Sequence, residues 1–158
     1  MIWHFLLEVV MRSILSCLML LLSSSCLLAQ PTPVTFAGEW RLDSQRSLAS
    51  PTAVLVVTQD SKEVVLERRT ADGRTFATER FAFDGESENR VLGDLTKTRT
   101  EWSGSTLRMV GTRVRPNGYE ASTETSMKLS GSDELTVTEL ISTGSTDFTT
   151  VNVFVRTK

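Results

Sequence analysis

From residue 34 almost to the C-terminus the chain alternates apolar and polar residues, and glycines interrupt the alternation at short intervals. Glycines at 73, 85, 93, 104, 118, 131 and 144 separate runs rich in Val, Thr, Phe and Leu, at roughly the 8–12-residue spacing of antiparallel strands in a barrel or sandwich. Val34, Phe36, Gly38, Trp40 and Leu42 share one face of a first strand over 34–42. Residues 43–47 read as a capped helical turn, since an Asp or Ser cap is followed by polar residues, and Pro51 restarts the extended chain. Strands follow over 53–58, 63–69 and 74–83, the last two joined by Asp72-Gly73, a two-residue hairpin signal.

Residues 86–95 are the least regular stretch and read as an irregular strand or a loop over a barrel mouth. Alternation resumes over 96–102, with Thr98, Thr100 and Trp102 opposite Lys97, Arg99 and Glu101. Strands over 106–115 and 119–129 flank Asn117-Gly118, whose two residues both tolerate positive φ and so suit a primed hairpin turn. In 119–129, Tyr119, Ala121, Thr123, Thr125, Met127 and Leu129 oppose Glu120, Ser122, Glu124, Ser126 and Lys128. Two further strands over 134–141 and 148–156 complete the chain.

Eight to nine strands joined only by short turns leave no room for the long return of a Greek key. An up-and-down barrel needs nothing else. The expected fold is therefore all-β, an antiparallel up-and-down barrel, wide enough at about eight strands for packed side chains or one small ligand.

The first 29 residues have another character. Met11-Arg12 offers a basic n-region, 14–22 an apolar h-region, and Ala29 a small residue at a cleavage site before Gln30, the pattern of an export signal. The ten residues before Met11 carry Glu8 and no basic residue, which makes Met11 a candidate true start. Ser23-Ser24-Ser25 breaks the apolar run short of the length of about 20 residues that an uncleaved anchor needs, and Ser23 stands where a lipoprotein signal ending at Cys26 would place a Leu-like residue. The chain thus divides into a signal peptide, 1–29, and one barrel domain, 30–158, secreted or periplasmic and without a stable membrane span after cleavage.

The signal segment also holds the only histidine, His4, and both cysteines, Cys17 and Cys26. The domain that follows therefore has no Ser-His-Asp or Cys-His catalysis, no zinc site built on His or Cys, no histidine-ligated haem and no disulfide framework. With 17 Lys and Arg against 19 Asp and Glu, the net charge is −2, so the basic footprint of a nucleic-acid binder is missing. No catalytic, cofactor or metal residue is expected. Glu120 and Glu124 are the nearest approach to an acid/base pair, and their alternation with Ser122 and Lys128 reads as a solvated strand face.

Gly38-Glu39-Trp40 resembles the Gly-x-Trp motif on the first strand of the lipocalin superfamily, and the meander that follows is similar to a small bacterial lipocalin-like barrel over about 34–158. The resemblance implies that Trp40 closes one barrel end against an arginine of the last strand, here Arg156, with Gly38 part of that structural corner. The usual C-terminal helix has no counterpart, since the chain ends two residues beyond Arg156.

Trp102 and Tyr119 each share a face with threonines, Thr100 and Thr123 among them, a mix of apolar body and hydroxyl that suits a cavity wall. Arg113 shares the face of Leu107 and Met109, so it either reaches inward to an anionic head group or pairs on the surface with a cross-strand Glu. These five residues are the expected ligand site, at the open end of the barrel under a lid of residues 86–95. The expected function is non-catalytic binding of a small apolar or amphipathic molecule. The alternative is a structural or protein-interaction barrel of the envelope whose interior is filled.

Overall fold

The computed structural model describes residues 34–48 and 50–158; the expectations for residues 1–29, including the start at Met11, lie outside the described residues. Ten strands form: β1 (Gly38–Leu42), β2 (Val54–Gln59), β3 (Glu63–Arg69), β4 (Thr75–Ala82), β5 (Glu86–Val91), β6 (Asp94–Ser103), β7 (Thr106–Val114), β8 (Glu120–Ser130), β9 (Glu134–Ser142) and β10 (Asp147–Arg156). They make one antiparallel sheet in the order β4-β3-β2-β1-β10-β9-β8-β7-β6-β5. β1 pairs with β10 in the middle of this order, through Trp40↔Arg156 and Leu42↔Phe154, and the sheet rolls into a nearly closed barrel whose two edges are β4 and β5. No helix occurs among the described residues, and residues 43–47, expected as a helical turn, form a non-helical turn instead, closed by Arg46 N donating to Asp43 O at 3.2 Å.

The strand count of 10 corrects the expected eight to nine, and the added strand is β5. Residues 86–95 are not a lid: they are β5, a turn at Leu92-Gly93 and the start of β6, paired from Glu86↔Arg99 to Val91↔Asp94. β5 escapes an alternation search because its inward positions are Ser87 and Asn89, both buried and polar.

Those two residues close the barrel. β4 and β5 are consecutive, yet they stand at opposite ends of the sheet order and share no ladder. Asn89 instead accepts from Arg80 N through Oδ1 at 2.8 Å and donates from Nδ2 to Arg80 O at 2.9 Å. Ser87 Oγ accepts from Ala82 N at 2.8 Å. The Asn89 amide thus supplies the donor and acceptor that a ladder residue would supply from its backbone. Each such bond contributes about 1 kcal/mol, so Asn89→Ala is expected to speed hydrogen exchange at the Arg80 amide severalfold and leave β3 amides unchanged. An Arg80 amide that exchanges no faster in the variant would remove Asn89 as the latch.

Strand direction sorts the connections. One end of the barrel carries the β2–β3, β4–β5, β6–β7 and β8–β9 turns together with both described chain ends; the other carries the β1–β2, β3–β4, β5–β6, β7–β8 and β9–β10 connections. Inward residues near the first end are large and apolar: Trp40, Leu66, Phe81, Leu107, Met127 and Phe154 are all at most 3% exposed. Val34, Phe83 and Leu129 pack against this core. Gly111 is the one inward position on β7 without a side chain, because a Cβ there would collide with Lys97 O and Thr98 Cα on β6. The close approach of β6 to β7 at that point admits only glycine.

Candidate functional site

The apolar end is sealed by a corner built on β1. Trp40 is fully buried and its indole Nε1 donates to Phe36 O at 2.9 Å. The Arg156 guanidinium lies over the same ring, 4.1 Å from its centroid. It also donates from Nη1 to Ala37 O and from Nε to Ser132 O, each at 2.9 Å, tying the start of β1 to the β8–β9 turn. Gly38 makes room for this: a Cβ at its φ of +146° would strike Arg156 Nη1.

Trp102 belongs to this end as well. It stacks on Phe36 with ring centroids 5.9 Å apart and meets Phe83 at 6.0 Å. β6 runs from the mouth at Asp94 to the sealed end at Ser103, whereas β8 begins at the mouth, beside Tyr119. Trp102 and Tyr119 therefore sit at opposite ends of the barrel, which corrects their grouping in one site.

Midway along the lumen lies a buried ion triad. Arg68 Nε reaches Glu79 at 2.8 Å and Arg68 Nη2 reaches Glu139 at 2.7 Å. β3 and β9 are separated in the sheet by β2, β1 and β10, so the Arg68–Glu139 bond crosses the interior rather than following the wall. Burial works against the charge on Arg68, but Glu79 and then Glu139 more than offset it and hold its pKa above the ordinary arginine value. Around the triad the wall is polar. Thr98, Thr100, Thr123 and Asn152 are all less than a tenth exposed, and Thr98 Oγ1, Thr100 Oγ1 and Asn152 Oδ1 have no partner among the described residues.

Beyond the triad the barrel opens. A cavity of about 240 Å³ is lined by Arg113, Arg115, Tyr119, Ala121, Ile141, Thr143 and Phe148. It continues outward into a vestibule that adds Asn117 and Thr146. Ala121, Ile141 and Phe148 come from inward-facing rows of β8, β9 and β10, Phe148 being the cross-strand partner of Ile141. An inward Phe that is still 58% exposed marks an open mouth. The Arg115 guanidinium sits 5.9 Å from the Tyr119 ring centroid. Neither Arg113 nor Arg115 forms an ion pair among the described residues, and Arg113 Nε is buried without a partner.

Of the expected ligand residues, Arg113 and Tyr119 line this cavity together, Thr100 and Thr123 face the lumen below it, and Trp102 is at the far end. The surface pairing considered for Arg113 is made instead by Arg108, which binds Glu124 at 2.9 and 2.8 Å and Glu101 at 2.5 Å. That hydrogen bond from Arg108 holds the Glu124 carboxyl below the usual carboxylate range, the opposite of what a general acid requires. The triad was missed, and a signal for it existed. Arg68 continues the inward row of Val64 and Leu66, Glu79 lies between Ala77 and Phe81, and Glu139 lies between Val137 and Ile141. Three charges of mixed sign on otherwise apolar faces point to one another.

Chemically, the mouth offers two unpaired guanidinium groups beside aliphatic and aromatic surface, which suits a ligand with an anionic head and an apolar body. Among the described residues no set of three or more His, Cys, Asp or Glu is placed to hold a metal ion, and no helix is long and apolar enough to cross a membrane. No protein-family model matches this chain, and neither does any curated protein.

Proposed function

We propose that this chain is an exported, lipocalin-like barrel that binds a small amphipathic anion at its mouth without transforming it. The observation that carries the reading is the apolar cavity of about 240 Å³ in which Arg113 and Arg115 stand without carboxylate partners. A buried donor without a partner is costly, and a carboxylate, sulfonate or phosphate oxygen satisfies it with a charge-assisted bond. Ala121, Ile141, Phe148 and Tyr119 supply the area that holds an alkyl body. The Trp40–Arg156 corner beside Gly38 supports the lipocalin-like assignment, and the basic, apolar and small-residue order of residues 12–29 supports export.

The alternative, an interaction module with a filled interior, draws on the packed lower lumen and on the exposure of Leu92 and Phe148 at the mouth. Calorimetric titration with octanoate separates the two readings. Saturable binding is expected, weakened about tenfold or more by Arg113→Met, since hydrogen bonds to charged groups contribute about 1.5–3 kcal/mol, and unaffected by Trp102→Ala at the far end. If octanoate, decanoate and their sulfate analogues all fail to bind, the interaction reading takes over.

A further inference from the structure

The Arg68–Glu139 bond crosses the lumen directly beneath the mouth cavity. Glu139 is the inward residue two positions before Ile141 on β9, and Ile141 lines the cavity. Thr125 and Thr150 flank Glu139 as its cross-strand partners, one step below the row formed by Thr123, Ile141 and Phe148. An alkyl chain that enters between Arg113 and Phe148 and follows the lumen therefore meets the ion pair, level with Met109, before it can reach Leu107 or Met127. The charges cannot be bypassed cheaply. An alkyl segment pressed against them strips away polar surroundings and returns no hydrogen bond.

Resting on the mouth-binding reading above, we infer that the Arg68–Glu139 crossbar is a molecular ruler that restricts the ligand to short-chain amphipathic anions. Buried ion triads are poor stabilisers when compared with apolar side chains of similar volume. The three residues therefore bring no obvious stability advantage over an apolar filling, which the same lumen already uses at its sealed end. What they add is a polar floor at a fixed depth.

The test compares a series of n-alkyl carboxylates, hexanoate through tetradecanoate, on the full domain by titration calorimetry. In the wild type each added methylene raises affinity about fourfold, the equivalent of about 0.8 kcal/mol per buried CH₂, until the chain reaches the crossbar, where the increments stop. Glu139→Ala removes the arm that crosses the lumen and leaves Arg68 paired with Glu79 on neighbouring strands, so no unbalanced charge is created. In this variant the fourfold increments continue for two or more further methylenes. Glu139→Met, which restores bulk without charge, pulls the limit back toward shorter chains. Should Glu139→Ala not fold, as judged by near-ultraviolet circular dichroism, Glu139→Ser makes the same opening with a residue that keeps a hydroxyl. An identical length limit in the wild type and the opened variant, with binding intact, overturns the ruler and leaves the mouth site standing. Absence of binding by every chain length in the wild type overturns the mouth site itself.

Discussion

Trp40→Ala is expected to cost about 3–5 kcal/mol of stability, the range for deleting a buried aromatic side chain and leaving a cavity. The indole is fully buried, its N–H is bonded to Phe36 O, and it is the surface on which Arg156 lies. Arg156→Ala should cost far less. A guanidinium over an indole contributes about 0.5–2 kcal/mol, and the arginine's bonds to Ala37 O and Ser132 O lie at the partly exposed rim, where water replaces them. Trp40→Phe keeps most of the buried area but forfeits the N–H bond, so it should fall between the two. Urea unfolding of the three variants measures the order. An Arg156→Ala loss equal to or larger than that of Trp40→Ala would mean that the corner is held by the arginine's bonds across three chain segments and not by the buried ring.

This corner was legible only through the resemblance of Gly38-Glu39-Trp40 to the lipocalin Gly-x-Trp motif, which implies an arginine of the last strand against the tryptophan, and Arg156 is the position that matches. The strands were legible from the residues themselves. Period-two alternation between glycine turns fixes both the element and its inward face, because a slip of one residue would turn every apolar side chain outward. Where the inward residues are polar, that signal vanishes. β5 presents Ser87 and Asn89 inward, so its pattern looks like a loop, although those side chains hold the seam to β4.

The grouping of Trp102 with Tyr119 went wrong for a different reason. Alternation says which side of the wall a residue occupies but not how far along the barrel it sits. Trp102 and Tyr119 both belong to aromatic and threonine-rich faces, yet depth depends on strand direction, and β6 and β7 place Trp102 beside Phe36 while β8 starts at the mouth. Counting hairpins from Gly38 would have separated the two, since the β6–β7 turn and the β7–β8 turn lie at opposite ends. The charged lumen needed one more step, the recognition that an inward Glu and an inward Arg on non-adjacent strands meet across the interior.

The second large effect is expected at that lumen. Arg68→Met leaves Glu79, which is buried, and Glu139, whose side chain is 25% exposed, without their cation, and breaking a buried pair by removing one partner costs about 3–5 kcal/mol. Glu79 is 8% exposed, so water offers it little relief. Replacing all three residues together, as Arg68→Met with Glu79→Leu and Glu139→Leu, should recover that loss and can exceed the wild type, because apolar side chains of similar volume replace buried ion triads at no cost or with a gain of about 1–4 kcal/mol. The two variants share the Arg68→Met change and differ at Glu79 and Glu139, so the gap between them in urea unfolding combines relief of the stranded charge with the apolar burial the two leucines add. A loss below about 1 kcal/mol for Arg68→Met would mean that water reaches the carboxylates from the mouth, since a solvated ion pair contributes no more than that. A full loss, followed by recovery in the triple variant, would leave the triad as a group that the fold does not need for stability. Its position across the path of an entering chain would then be its remaining physical consequence.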